Sequence, residues 1–374
     1  MSETGRGRSI AICVLIFVIS LPAGYVVLQI VNEAINWLWF EVPDGLAAPA
    51  LCVLVLAVPA VAGVAVALMR SHGNDGHNPM FGIALNPISG RDYPSIIGAI
   101  AATLIGGLVL GPEVAMVSTG AVIGTAIAKR TGIPVKNGTG VGAGAAILAL
   151  FVGPLLDGSF SVSRSYTYKP WDLVGAIIVG AVTAGVILAG RYLSIGILKL
   201  HGGDRPKVLV MAIAGLVVGV VALAYHFGTG HDVSLVLTSG ESNVKQMLTL
   251  GSTGAIAITL VAKWIGYSVS MGGGFRGGPF FPAIYIGAGL GAIAAIINPN
   301  FAQGTVAAGI TASVVYLAHP KWGVTLLLAI VLGMLIGGPE LIPLAVVAAA
   351  VAKIIPEIKV STKPTGEEEI TEVR

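Results

Sequence analysis

Residues 111–126 read GPEVAMVSTGAVIGTA, and residues 278–293 read GPFFPAIYIGAGLGAI. The two stretches align without a gap. Gly111 meets Gly278, Pro112 meets Pro279, Gly120 meets Gly287, Ala121 meets Ala288 and Gly124 meets Gly291. Downstream, ALFVGPLL (149–156) corresponds to VYLAHPKW (315–322), each a hydrophobic run that reaches a proline. Two matching half-chains, about 45–200 and 207–355, are the sequence mark of a transporter-type fold built from structural repeats.

Each stretch opens on Gly-Pro. The glycine breaks the preceding segment, and proline fits the first turn of a new helix because its missing N–H would be unpaired there anyway. A helix that starts inside a membrane presents free backbone N–H groups and the positive end of its dipole to whatever lies in front. That is an anion site made without a basic side chain. Two of them, one per repeat and aimed at one midplane point, form an anion pathway. Glu113 falls in the first turn of the first such helix and is the only carboxylate between Asp92 and Asp157. It reads either as a helix-start acid at a wet interface or as a carboxylate that occupies the anion site and leaves it. The cost of an acid inside lipid favours the second.

Composition fixes the solvent. Of 374 residues, 55% are hydrophobic and 10% charged, with 52 glycines and a mean hydropathy of +0.90. A soluble domain carries roughly 25% charged residues, so much of this surface faces lipid. Windows without Asp, Glu, Lys or Arg that approach roughly 20 residues are Ser9–Asn32, Gly45–Met69, Tyr93–Pro112, Asn137–Leu156, Leu173–Gly190, Val208–Gly230, Gln246–Ala262, Gly277–Pro320 and Trp322–Pro339, with a shorter Leu341–Ala352. Asn298-Pro299-Asn300 must divide the longest of them. About ten to twelve membrane segments are predicted, in an all-α chain whose apolar runs are continuous rather than alternating. Arg6 and Arg8 before the first span place the N-terminus in the cytoplasm, and that span is too long for a signal-peptide core. Residues 1–355 are expected to form the polytopic domain, and 356–374 a short cytoplasmic tail.

Other chemistries find no footing. Cys13 and Cys52 lie in apolar spans and read as small hydrophobes. His72, Asp75 and His77 read as a polar turn rather than a metal site, and neither a metal nor a cofactor is expected. The chain holds no HExxH, no Gly-x-Ser-x-Gly and no paired catalytic acids, so an enzyme is not predicted. The net charge of +3 reports membrane orientation and gives no case for nucleic acid.

GLVLGPEVAMVSTGAVIG (107–124) resembles the glutamate signature of the CLC chloride channels and transporters, whose usual form is Gly-Arg-Glu-Gly-Pro before a helix. GGPFFPAIYIGAGLG (277–291) is similar to that family's Gly-x-Phe-x-Pro signature, with Gly278, Phe280 and Pro282 in place. LVAKWIGYSVSMGGG resembles the Lys-containing helix and small-residue loop that precede it. The resemblance implies an inverted-repeat bundle of tilted and broken transmembrane helices. It implies a homodimer in the cell membrane, each protomer with its own pore, both termini cytoplasmic and a small inorganic anion as cargo. Glu113 corresponds to the gating glutamate. Gly111, Pro112 and Val114 on one side, with Gly278, Pro279, Phe280 and Phe281 on the other, correspond to the anion-binding turns.

The departures bear on selectivity and coupling. The family's Gly-Ser-Gly-Ile-Pro signature falls at Asp75-Gly76-His77-Asn78-Pro79, so Gly76 stands where an anion-coordinating serine is expected, with His77 and Asn78 beside it. Proton-coupled members carry a second glutamate where this chain has Ser163, Arg164 and Ser165. The last helix, with its pore tyrosine, has no match after KIIPEIKV, and Tyr285 and Tyr316 are the candidates to replace it. The reading is therefore anion transport, chloride foremost, without proton coupling. Transport of fluoride or nitrate on the same scaffold and a non-transporting scaffold subunit are the alternatives.

Overall fold

The structure, a computed structural model, describes residues 3–72, 78–81, 86–157, 167, 169–203, 207–299, 301, 304–362 and 368–371. The first half contains α1 (Glu3–Asn36), α2 (Ala48–His72), α3 (Tyr93–Ile105), α4 (Glu113–Thr131) and α5 (Val135–Asp157). α6 (Asp172–Leu200) completes it, and the second contains α7 (Val208–Thr229), a five-residue α8 (Val244–Leu248), α9 (Thr253–Gly272), α10 (Phe280–Ile297) and α11 (Gly304–Ala318). Then come α12 (Trp322–Gly337) and α13 (Ile342–Ile354). A short antiparallel ribbon follows, β1 (Lys359–Thr362) on β2 (Glu368–Thr371), with Lys359 opposite Thr371.

Among the described residues, six helical spans are long and apolar enough to cross a membrane, while α3, α11 and α12 are apolar but shorter. Their outward faces carry large bare side chains such as Ile30, Val53 and Leu209. Without lipid those faces would be untenable in water. The chain is an all-α integral membrane bundle.

Charge-free windows located the apolar segments but misplaced several ends, for identifiable reasons. The window 93–112 holds a helix only to Ile105, because Gly106 and Gly107 end it, the latter at φ +78°. The window 246–262 straddles the junction between α8 and α9. No such window isolated α4, since that helix carries Glu113, Lys129 and Arg130. The long window does break near Asn298: α10 stops at Ile297 and Asn298 is extended.

The two halves pack alike. Both Gly-Pro pairs precede a helix start, with Pro112 (φ −79°, ψ −7°) and Pro279 (φ −86°, ψ −9°) in nearly the same conformation. A methyl group on Gly120 would strike the carbonyl of Gly142 in α5, and one on Gly287 would strike the carbonyl of Gly309 in α11. The aligned turns and these packing pairs all keep the offset of 167 residues that separates Glu113 from Phe280. By Pro154 and Pro320 the register has slipped by one, and α11 stops at Ala318 where α5 continues to Asp157. The segment after α13 also departs from a free tail, since Ile358 is buried against the bundle.

Close helix approach at these glycines is a direct consequence of their missing Cβ. Gly120→Val is expected to lower stability by about 1–3 kcal/mol or to abolish folding, as overpacking against backbone does. Gly140, in the middle of α5 with open space around it, is the control. Gly140→Ala is expected to be neutral or stabilising by up to about 1 kcal/mol. Thermal unfolding in detergent measures both.

Candidate anion site

Lipid supplies no hydrogen bonds, so the broken backbone ahead of α4 and α10 must be satisfied within the protein. The structure does this reciprocally. Gly111 N–H donates to the Gly278 carbonyl at 2.6 Å, and Gly278 N–H donates to the Gly111 carbonyl at 2.7 Å. This two-bond bridge joins equivalent points of the two repeats and sets their helix starts face to face.

Glu113 lies on the bridge. Its side chain is buried, and Oε1 accepts the Phe280 amide at 2.7 Å. The carboxylate thus sits at the positive end of α10, in the opposite repeat, rather than only capping its own helix. Its Oε2 has no hydrogen-bond partner. Any Cβ at Gly111 or Gly278 would overlap this carboxyl group, so both positions must be glycine for it to dock there. Beneath it, Tyr267 on α9 donates its hydroxyl to the Pro279 carbonyl at 3.1 Å, within electrostatic reach of Glu113. A carboxylate on a helix-start amide marks a place where a free anion of similar size also fits.

Residues 152–357 match the family described as voltage gated chloride channel, more than half of the chain. The chain belongs to the CLC family. Relatives that carry the ion-transport name YfeO, from Shigella sonnei and Escherichia coli O139:H28, are each 26% identical over 316 residues, covering 71% of this chain and 74% of theirs. Among solved structures, a slow cyanobacterial Cl−/H+ antiporter superposes with a TM-score of 0.70 over 93% of both chains, at 14% identity. A eukaryotic CLC transporter gives 0.59 over 92% of this chain and 71% of its own, at 15% identity. These likenesses establish the CLC fold and a membrane ion-transport family.

In this CLC chain the sequence-derived residues fall as follows. Gly111, Pro112, Gly278, Pro279 and Phe280 converge on Glu113, with Phe281 in the same turn. Val114 is buried in the core just behind the turn. Gly76 and His77 lie outside the described residues, as do Ser163, Arg164 and Ser165. Asn78 is described and buried: its Oδ1 accepts the Met80 amide at 2.9 Å, while its Nδ2 has no partner. Arg276 is buried just ahead of Gly277. Glu340 is exposed in a short 3-10 turn. Tyr316 donates to the Pro356 carbonyl at 3.2 Å, and Tyr285 packs under Lys263, whose Nζ stands 4.8 Å from its ring centre. The tyrosine beside the bridge is Tyr267, which sequence reasoning passed over as part of an apolar helix.

A second acid was also missed. Glu241 lies in the connection between α7 and α8, outside the spanning helices. That connection is sewn to the loop bearing the glutamate. Thr238 N–H donates to the Gly107 carbonyl at 2.9 Å, and buried Lys263 donates to the carbonyls of Leu237 (2.8 Å) and Thr238 (3.0 Å). Thr238 is held at φ +63°, uncommon for a threonine. Glu241 keeps partial surface exposure, yet desolvation, followed by the nearby charge of Glu113, raises its pKa to about 7.

The sign follows directly. Glu241 is neutral below about pH 7 and negative above it. If an anion takes the place of the Glu113 carboxylate, the Glu241 charge would oppose it by about 1 kcal/mol after solvent screening, or roughly fivefold in occupancy. Glu241→Gln is expected to make the fall in anion flux between pH 6 and pH 8 shallower, leaving the part that Glu113 itself contributes, with flux at pH 6 unchanged. Liposome efflux across that range measures it, and an unaltered pH profile rules the effect out.

Proposed function

We propose that this chain carries a small inorganic anion, chloride foremost, across the cell membrane along a path gated by Glu113. One observation supports the reading above the others: the Glu113 carboxylate of one repeat accepts the Phe280 amide that opens a helix of the other. A carboxylate there competes with the anion for one set of backbone donors. Protonation or anion entry releases it. Gly111, Pro112, Val114, Gly278, Pro279, Phe280 and Phe281 line the contested turn, and Gly76 and His77 are assigned to the loop beyond it. A homodimer with one pore per protomer, both termini cytoplasmic and a repeat division near residues 200–207 belong to the same proposal. Ser163, Arg164 and Ser165, in place of a second glutamate, support passage without proton coupling.

Proton-linked exchange is a second reading, favoured by Glu241 lying within electrostatic reach of Glu113.

Efflux of chloride, nitrate and fluoride from proteoliposomes tests both readings. Glu113→Gln is expected to raise anion flux by roughly tenfold or more, because a charge-assisted hydrogen bond of about 1.5–3 kcal/mol no longer competes with the anion. Proton movement driven by a chloride gradient, abolished in E113Q, selects the second reading. No anion flux under any condition leaves only a scaffold role, and flux indifferent to E113Q removes Glu113 as the gate.

A further inference from the structure

The basic side chains of the first half gather at one end of the bundle. Ile12 and Ile16 of α1 form one buried cluster with Ala128 of α4 and Ile133, and Cys13 and Val141 of α5 pack against it. That packing brings together the start of α1, the end of α4 and the start of α5. Each carries cations: Arg6 and Arg8 on α1, Lys129 and Arg130 in the last turn of α4, and Lys136 as the second residue of α5. All five are exposed, and among the described residues none makes a side-chain hydrogen bond or ion pair. Glu3, the first residue of α1, is the one acid that these three ends carry. No Asp or Glu occurs from Arg6 to Asn32 or from Val114 to Leu156. Lys129 and Arg130 suit a helix C-terminus, where the dipole favours cations. Arg6 and Lys136 do not: each lies in the first turn of its helix, where the backbone N–H groups are themselves partly positive. Helix capping therefore leaves this excess of positive charge unexplained.

An apolar groove begins at the same place. It is open, has a volume of about 570 Å³, and is lined by Ile10, Cys13, Val14 and Phe17 on α1 and by Val141 on α5, with Arg6 where it meets the charged end. Its size falls within the roughly 300–1,000 Å³ of small-ligand sites. Basic groups at one end and an apolar channel leading away from them match a molecule with a negative head and a hydrocarbon tail. We propose that the ends of α1, α4 and α5 bind an anionic phospholipid, its head group facing the basic cluster and one acyl chain lying in the groove between α1 and α5. Clusters of Lys and Arg beside membrane helices recognise such head groups. Neutral lipid wets any outward apolar face, so the property that marks a site here is preference for charge. The site stands at the opposite end of α4 from Glu113 and does not depend on what crosses there.

Native mass spectrometry of the purified full chain tests this, with dioleoyl phosphatidylglycerol, dioleoyl phosphatidylcholine and soluble glycerol phosphate as probes. Phosphatidylglycerol is expected to bind at least about tenfold more tightly than phosphatidylcholine, and glycerol phosphate alone is expected not to bind, since it has no chain for the groove. A basic residue near a charged head group is worth a factor of roughly five. Lys129→Gln combined with Arg130→Gln is therefore expected to weaken phosphatidylglycerol roughly twentyfold and to leave phosphatidylcholine unchanged. Val14→Trp keeps every charge and fills the groove, and is expected to weaken phosphatidylglycerol at least about fivefold. All three substituted side chains are exposed, so the variants keep the core, and thermal unfolding in detergent checks that they are folded. Equal binding of the two lipids leaves only an unselective lipid coat and overturns the site. Glycerol phosphate binding as tightly as phosphatidylglycerol makes it a free-anion site and overturns the lipid. Wild-type phosphatidylglycerol affinity in the Lys129 and Arg130 double variant, or in Val14→Trp, puts the lipid elsewhere and overturns the assignment.

Discussion

Two backbone hydrogen bonds between Gly111 and Gly278 hold the rest of the arrangement in place. The membrane interior tolerates irregular backbone only where the protein satisfies it, and here each repeat satisfies the other. Once that bridge exists, the starts of α4 and α10 face one another and their unpaired amides share one volume. A single carboxylate fills it. Glu113 belongs to one helix by sequence and to the other by hydrogen bonding, which makes it both a ligand and a removable one. The glycines are needed twice over, for the turn and for the space the carboxyl occupies.

Much of this was readable in the chain before any coordinates. The Gly-Pro repeat placed both helix starts, and the offset of 167 residues carried through to the glycine contacts of α4 with α5 and α10 with α11. What sequence reading could not supply was identity across the fold. Lys263 and Tyr267 are part of one apolar helix in sequence, and only packing shows that one anchors the Glu241 connection while the other backs Pro279. Arg276 looks like a loop residue because glycines flank the Phe275-Arg276 pair, yet both residues are buried. Arg191 directly follows the charge-free window Leu173–Gly190, where a single arginine reads as the end of a span, yet α6 runs on to Leu200. Its side chain bonds the carbonyls of Met80 and Ile358, residues 111 and 167 positions away.

The charges around the path have a common logic. On the proposed path Glu113 is the negative group that yields to an anion, and Glu241 adds its own charge within electrostatic reach of it. The family match covers residues 152–357 and so includes Arg191, Tyr267, Phe280 and Tyr316, while Glu113 lies outside it, turned toward Phe280 of the other repeat.

The central claim is that the Glu113 carboxylate and a free anion occupy the same volume at the start of α10. The most direct measurement is an experimental structure of E113Q grown in sodium bromide, with the anomalous signal of bromide as the readout. A bromide peak within hydrogen-bond distance of the Phe280 amide, where the Glu113 oxygens stand in wild type, is the expected result. A structure with no anomalous density at that amide, or with bromide bound there in wild type while Glu113 stays docked, contradicts it.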